Sequence, residues 1–143
     1  MSDIEKAKSI LKEGGYGCVF CKDDLVYSKT GIGVSPIMEL LNTQTNLSGL
    51  CVADKVVGKA AAMLFALAEV KEVYGEVMSK QAENCLNQHN IKYSYGEIVD
   101  AIMNRKGTGI CPMEMAVKDI DEPKAAFEAI KIARARLAQS VSK

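Results

Sequence analysis

Leu50-Cys51-Val52-Ala53-Asp54-Lys55-Val56-Val57-Gly58-Lys59, followed by Ala60-Ala61-Ala62-Met63-Leu64-Phe65-Ala66-Leu67-Ala68, decides the fold of this chain. Leu50 to Ala53 is a short apolar run of the kind that makes a buried strand. Asp54 stands where a helix N-cap is expected, its carboxylate placed to accept from the backbone N–H of Val56 or Val57. From there Val57, Ala60, Ala61, Leu64, Phe65 and Ala68 repeat at helical spacing. The opposite side, with Ala62, Met63, Ala66 and Leu67, is apolar too. A helix that is hydrophobic all round is buried all round, so this is the expected central helix.

Apart from Glu69 at its far end, the charges of this stretch, Asp54, Lys55 and Lys59, gather at its start. Cations there oppose the positive end of the helix dipole, at a cost of about 0.3–1 kcal/mol each. Asp54 offsets that cost as a plain salt bridge, or the free N–H groups, Gly58 and the two lysines take an external anion. Ala53 to Ala60 also comes close to a P-loop, but alanine replaces both the first glycine and the final Ser/Thr. The Mg²⁺-binding hydroxyl is then absent, and a Cβ sits where backbone should wrap a phosphate. Nucleotide hydrolysis of that type is set aside.

The chain has 143 residues, enough for one domain, 1–143, with a sizeable core. Its 18 Lys+Arg balance 18 Asp+Glu, so no overall charge draws it to nucleic acid or to a membrane. The N-terminus is polar from the start, without the pattern of a signal peptide. The apolar helix is too short and too near charges to span a bilayer. Five scattered cysteines do not make a secreted disulfide framework, which points to a cytoplasmic protein with reduced thiols.

Outward from the central stretch, Ile4, Ala7, Lys8 and Leu11 outline a first helix ending at Gly14-Gly15. Tyr16–Cys21 and Leu25–Ser28 are predicted strands of a hairpin about Lys22-Asp23-Asp24. The first strand contains Cys18-Val19-Phe20-Cys21. On an extended strand, positions three apart face opposite ways, and no second pair completes four zinc ligands, so two buried thiols are expected here. Ser35 is expected to cap a helix running through Leu41, with Pro36 at its first position. Asn42 to Ser48 is an expected exposed loop.

Beyond the central helix, Glu72 to Met78 is a predicted strand, and Ser79 caps the helix after it. Ala82, Cys85, Leu86 and His89 share a face of that helix. His89, the only histidine, stands near its end, where a cation is welcome. Lys92 to Tyr95 is predicted as a short fifth strand, and Ile98, Val99, Ile102 and Met103 as a short helix. Asn104 to Gly109 is a basic, glycine-containing loop, and Cys111-Pro112 opens another helix. Pro123 begins a terminal helix through about Ala138, with Phe127, Ile130, Ala133 and Leu137 inward. Together these elements predict an α/β domain, a three-layer α/β/α sandwich on a mixed five-stranded sheet, parallel from the third strand onward.

This order of elements is similar to that of the cytidine-deaminase-like fold. More closely, nearly the whole chain resembles a small prokaryotic family, domain of unknown function 1893, assigned to that fold. Gly31-Ile32-Gly33 with Ser35-Pro36, Asp54 to Ala62, Asn104-Arg105 and Cys111-Pro112-Met113-Glu114 carry the resemblance. It implies a fold and a family, and no established activity. Zinc deaminases place His-x-Glu at one helix start and Pro-Cys-x-x-Cys at the next. The corresponding starts here, Ser35 to Glu39 and Asp54 to Lys59, carry neither histidine nor cysteine, so zinc-dependent deamination is excluded and neither metal nor cofactor is expected.

The same positions can still frame a pocket for a small anionic or nucleotide-like ligand, bound by Asp54, Lys55, Gly58 and Lys59, with Arg105 and Lys106 closing over it and Glu39 nearby. Cys111 is a candidate nucleophile: a helix N-terminus stabilises a thiolate, though no partner histidine is evident and a free cysteine is commonly core. A non-catalytic homo-oligomer, packed through one side of the apolar central helix, is the second expectation, ahead of a thiol enzyme built on Cys111.

Overall fold

A computed structural model describes residues 1–141. The Ser2 side chain accepts from the Glu5 N–H and starts helix α1 (Asp3–Gly14), which Gly15 ends in the left-handed conformation. Strands β1 (Cys18–Lys22) and β2 (Leu25–Lys29) follow as an antiparallel hairpin. Helix α2 (Ser35–Asn42), strand β3 (Cys51–Val57), helix α3 (Lys59–Leu67), strand β4 (Glu72–Ser79), helix α4 (Lys80–Gln88) and strand β5 (Lys92–Val99) come next. Helices α5 (Pro112–Val117) and α6 (Pro123–Val141) complete the order.

The sheet order is β2-β1-β3-β4-β5, with β1 antiparallel to β3 and the β3, β4 and β5 ladders parallel. The expected mixed five-stranded sheet is therefore present. Its two faces carry separate cores. On one, α1 sets Ala7 and Leu11 against Val19, Cys21, Ala53 and Tyr74. The other is larger: α2 to α6 bury Phe20, Val52, Val73 and Met78 under Ile37, Met38, Phe65, Leu86 and Ile130. Phe20 and Phe65 meet edge to face, 6.0 Å between ring centres. No described helix is long and apolar enough to cross a membrane.

Helix α3 is central, as its composition predicts: Ala60 to Phe65 are all buried. Each large side chain among them contributes about 1.5–3 kcal/mol of transfer free energy. α4, α5 and α6 pack on it within one chain, while Ala66 and Leu67 at its far end are half-buried. Cys18 and Cys21 lie in opposite cores and cannot share a metal.

Several boundaries differ from expectation. β3 runs on to Val57, so Asp54 is a mid-strand residue paired with Cys18 on one side and Gly75 on the other. The β-branched Val56 and Val57 extend the strand, and Gly58 becomes the N-cap. Ser35 is the first residue of α2 and makes no capping bond; Val34 precedes it. Leu47, in the loop before β3, is buried. β5 continues through Ile98 and Val99, which pair with Met78 and Ser79 in place of forming a helix. Leu137 is 43% exposed and lies off the inward side of α6.

One irregularity is shared. Val52 and Val57, Val73 and Met78, and Tyr93 and Ile98 each contact the same core, although an odd separation in a regular strand reverses the face. The pairing passes from Asp54–Gly75–Tyr95 to Val56–Val77–Glu97 and skips Lys55, Glu76 and Gly96. All three parallel strands break their alternation at one level. At Gly96 a Cβ would lie 2.8 Å from the Glu76 carbonyl oxygen, which is why the position has none.

Candidate functional site

Helix α3 begins with two lysine-flanked N–H groups and no side-chain cap of its own. Its anion comes from elsewhere in the chain. The Lys59 N–H donates to Glu114 Oε1 at 2.7 Å and the Ala60 N–H to Glu114 Oε2 at 3.1 Å. Glu114 reaches them from the first turn of α5, where Pro112 sets the backbone and Cys111 is the N-cap. Gly58 makes the approach possible: a Cβ there would lie 2.5 Å from Glu114 Oε1. The Lys59 ammonium donates to the Lys118 carbonyl oxygen at 3.1 Å, near the other end of α5. Burial raises the Glu114 pKa, and the Ala60 and Lys59 N–H groups and the Lys59 ammonium counter only part of that.

Two recesses flank this contact, and Glu114 borders both. The larger, of ≈ 260 Å³, lies between the start of α3, one face of α4 and the segment from Ala101 to Asp121. Lys59, Gln81, Asn84, Gln88, Lys118 and Asp121 supply polar groups, and Cys85, Ile102, Ile110 and Met115 the apolar floor. The smaller, of ≈ 60 Å³, lies between Gly33-Val34, ahead of α2, and Gly58-Ala61, with Cys111 and Met113.

The expected site residues are not all brought together. Lys59 lines the larger recess, and Gly58 and Cys111 the smaller. Asp54 lines neither: it is 4% exposed inside the sheet. Its carboxylate does accept from the Val56 N–H, at 3.3 Å, but as part of a strand. Burial pushes its pKa up to about 8, with Glu76 adding to the rise, against the lowering effects of the Val56 and Lys55 N–H groups and the Cys18 thiol. It forms no ion pair among the described residues, so a salt bridge is not what offsets the lysines. Lys55 points into solvent, and Arg105 and Lys106 are exposed on their loop; none of the three lines either recess. Glu39 is engaged by Lys29 at 2.8 Å, on the surface.

Cys111 is partly buried and makes no side-chain capping bond. The thiol nearest the histidine is Cys85: its Sγ lies 3.8 Å from His89 Nδ1. That nitrogen is also 2.9 Å from the Cys85 carbonyl oxygen, the better acceptor, and burial pushes the Cys85 thiol up to about 11. A protonated thiol beside a ring nitrogen engaged at a helix end is not an activated nucleophile. His89 does local work at the end of α4, as expected. Among the described residues, no three His, Cys, Asp or Glu side chains converge as a metal would require.

Gln81, Asn84, Gln88 and Glu114 were not singled out as binding residues by the sequence. The three amides recur at helical spacing beside the buried Cys85, a signal that the periodicity of α4 does contain. Glu114 meets Lys59 across 55 residues of chain, and no local pattern announces that.

No curated protein matches the chain. A crystal structure of a DUF1893 family protein from Thermotoga maritima is similar, with 27% sequence identity and a TM-score of 0.82, over 94% of this chain and 89% of that one. The profile of the family described as Domain of unknown function (DUF1893) matches residues 6–132. By that match this chain belongs to the DUF1893 family.

Proposed function

We propose that this is a cytosolic small-molecule-binding domain, built on a cytidine-deaminase-like frame without zinc-deaminase chemistry, that takes a nucleotide-like ligand in the recess of ≈ 260 Å³ beside the start of α3. One observation carries the proposal: Gln81, Asn84 and Gln88 face the same recess as Lys59 and Lys118. Carboxamides offer a donor and an acceptor side by side, the pattern that reads the edge of a nucleobase. The Lys59 ammonium, with one N–H given to the Lys118 carbonyl, keeps two donors for an anionic group. The recess lies near the lower end of ligand-site volumes, which suits a mononucleotide fragment better than a dinucleotide. Five free cysteines, four of them buried, fit a reducing compartment.

The ligand's anion sits against the lysines in this proposal, because Glu114 already occupies the N–H groups of α3. The starts of α2 and α3 carry Ser35-Pro36-Ile37 and Lys59-Ala60-Ala61, none of which binds zinc.

The test is a titration with adenosine, cytidine, guanosine and uridine 5′-monophosphates, followed by the side-chain amide resonances of Gln81, Asn84 and Gln88. Saturable shifts with at least one nucleotide are expected, weakened about ten- to a hundredfold in Lys59→Met, since a charge-assisted hydrogen bond contributes about 1.5–3 kcal/mol. Unmoved amide resonances with all four at millimolar concentration overturn the proposal.

A further inference from the structure

We infer that β5 is an interface for a second copy of this chain, the two β5 strands pairing antiparallel about a two-fold axis to join both sheets. β5 is one of the two edges of the sheet, and at eight residues it is the longer; β2, the other edge, has five. Alternate backbone N–H and C=O groups of β5 point away from β4, and among the described residues they have no backbone partner. Short length, proline or a covering segment commonly protects such an edge from pairing. β5 is not short, its sequence, Lys92-Tyr93-Ser94-Tyr95-Gly96-Glu97-Ile98-Val99, lacks proline, and Tyr95 is 41% exposed.

The charges of the strand select the partner. Its only cation, Lys92, stands at the beginning, and its only anion, Glu97, toward the end, with neutral residues between. Antiparallel pairing of two such strands brings each Lys92 end to the Glu97 end of the other copy, at two equivalent places. A parallel arrangement sets like charge beside like. Opposite charges across a strand pair stabilise it and like charges destabilise it, so the edge favours its own sequence, reversed. The strand is also held in place beforehand: the Tyr93 hydroxyl donates to Glu83 Oε2 at 2.8 Å and accepts from Asn87 Nδ2 at 3.1 Å, both on α4. A preformed edge loses little conformational entropy on docking.

Sedimentation equilibrium of the full chain and of three variants, Lys92→Glu, Glu97→Lys and the double reversal, tests this. A wild-type dimer is expected, with its dissociation constant raised about tenfold in each single variant and returned near the wild-type value in the double, two equivalent pairs being altered at once. A monomeric wild type, or a dimer indifferent to all three variants, overturns the inference. A second measurement needs no variant: amide hydrogen exchange between Ser94 and Glu97 slows as protein concentration rises, and exchange independent of concentration overturns the inference equally.

Discussion

The starts of α3 and α4 follow adjacent parallel strands, yet they satisfy their first N–H groups in opposite ways. At α4 the solution is local: Ser79, the last residue of β4, accepts from the Ala82 N–H at 3.1 Å. At α3 the N-cap is Gly58, which has no side chain, and the carboxylate of Glu114 arrives from a helix far along the chain. A local cap ends a strand and starts a helix, and does no more. A distant cap also ties α5 to α3 and forms the wall between two recesses. The carboxylate that the sequence offers for the α3 cap, Asp54, is drawn into the sheet instead.

The largest effect on this contrast is expected from Asp54 and pH. Its folded pKa of about 8 lies far above the ~3.9 of an unfolded aspartate, so the folded state binds the additional proton. Its contribution to stability is fully present below the unfolded value and is lost as pH rises, at up to about 1.4 kcal/mol per unit, until the folded pKa is passed. Urea unfolding from pH 5 to pH 9 should show this decline, and Asp54→Asn should flatten it. An equally steep decline in the variant assigns the pH dependence to other groups.

Glu114→Ala comes next. It strips two N–H groups of a charged acceptor, for about 2–4 kcal/mol of unfolding free energy. Faster hydrogen exchange through α5 should accompany the loss, because the tie between the helices goes with it. Gly58→Ala should reproduce both effects, its Cβ displacing the same carboxylate. Should α5 exchange at the wild-type rate in both variants, the distant cap is no tie.

The smallest effect is assigned to Ser79→Ala, about 1 kcal/mol, the ordinary cost of a lost N-cap. Exchange in α5 should not change. Chemical denaturation of the pair Ser79→Ala and Glu114→Ala, singly and together, sharpens the comparison further. The paired Val57 and Met78 set the two helix starts side by side, so the departure from additivity reads how strongly the two caps are coupled.

What the sequence made legible follows the same division. The Gly15 end of α1, the Ser79 cap and the opposed faces of Cys18 and Cys21 rest on short-range rules and appear as expected. The hairpin appears too, with Lys22 drawn from the expected turn Lys22-Asp23-Asp24 into β1, opposite Leu25. The Ile98-Val99 and Ile102-Met103 pairs imitate a helical repeat, but the first pair is taken by the edge of β4, a choice that only tertiary pairing makes. In the candidate site, Gly58, Lys59 and Cys111 were legible because each stands at a helix start. Glu114 was seen only as a neighbour of Cys111. Its role depends on a fold that sets α5 against α3, and on a glycine whose missing Cβ is informative only once the carboxylate is in view.

The common step in β3, β4 and β5 constrains how the family can vary in length. Deleting Glu76 alone would turn Met78 away from its core while Val57 and Ile98 kept theirs, leaving a methionine in water and a hole beneath α3. Lys55, Glu76 and Gly96 therefore keep the three strands in step with one another. Related chains are expected to carry gaps in the loops between these strands and none at this level of the sheet, unless all three lose a residue at once.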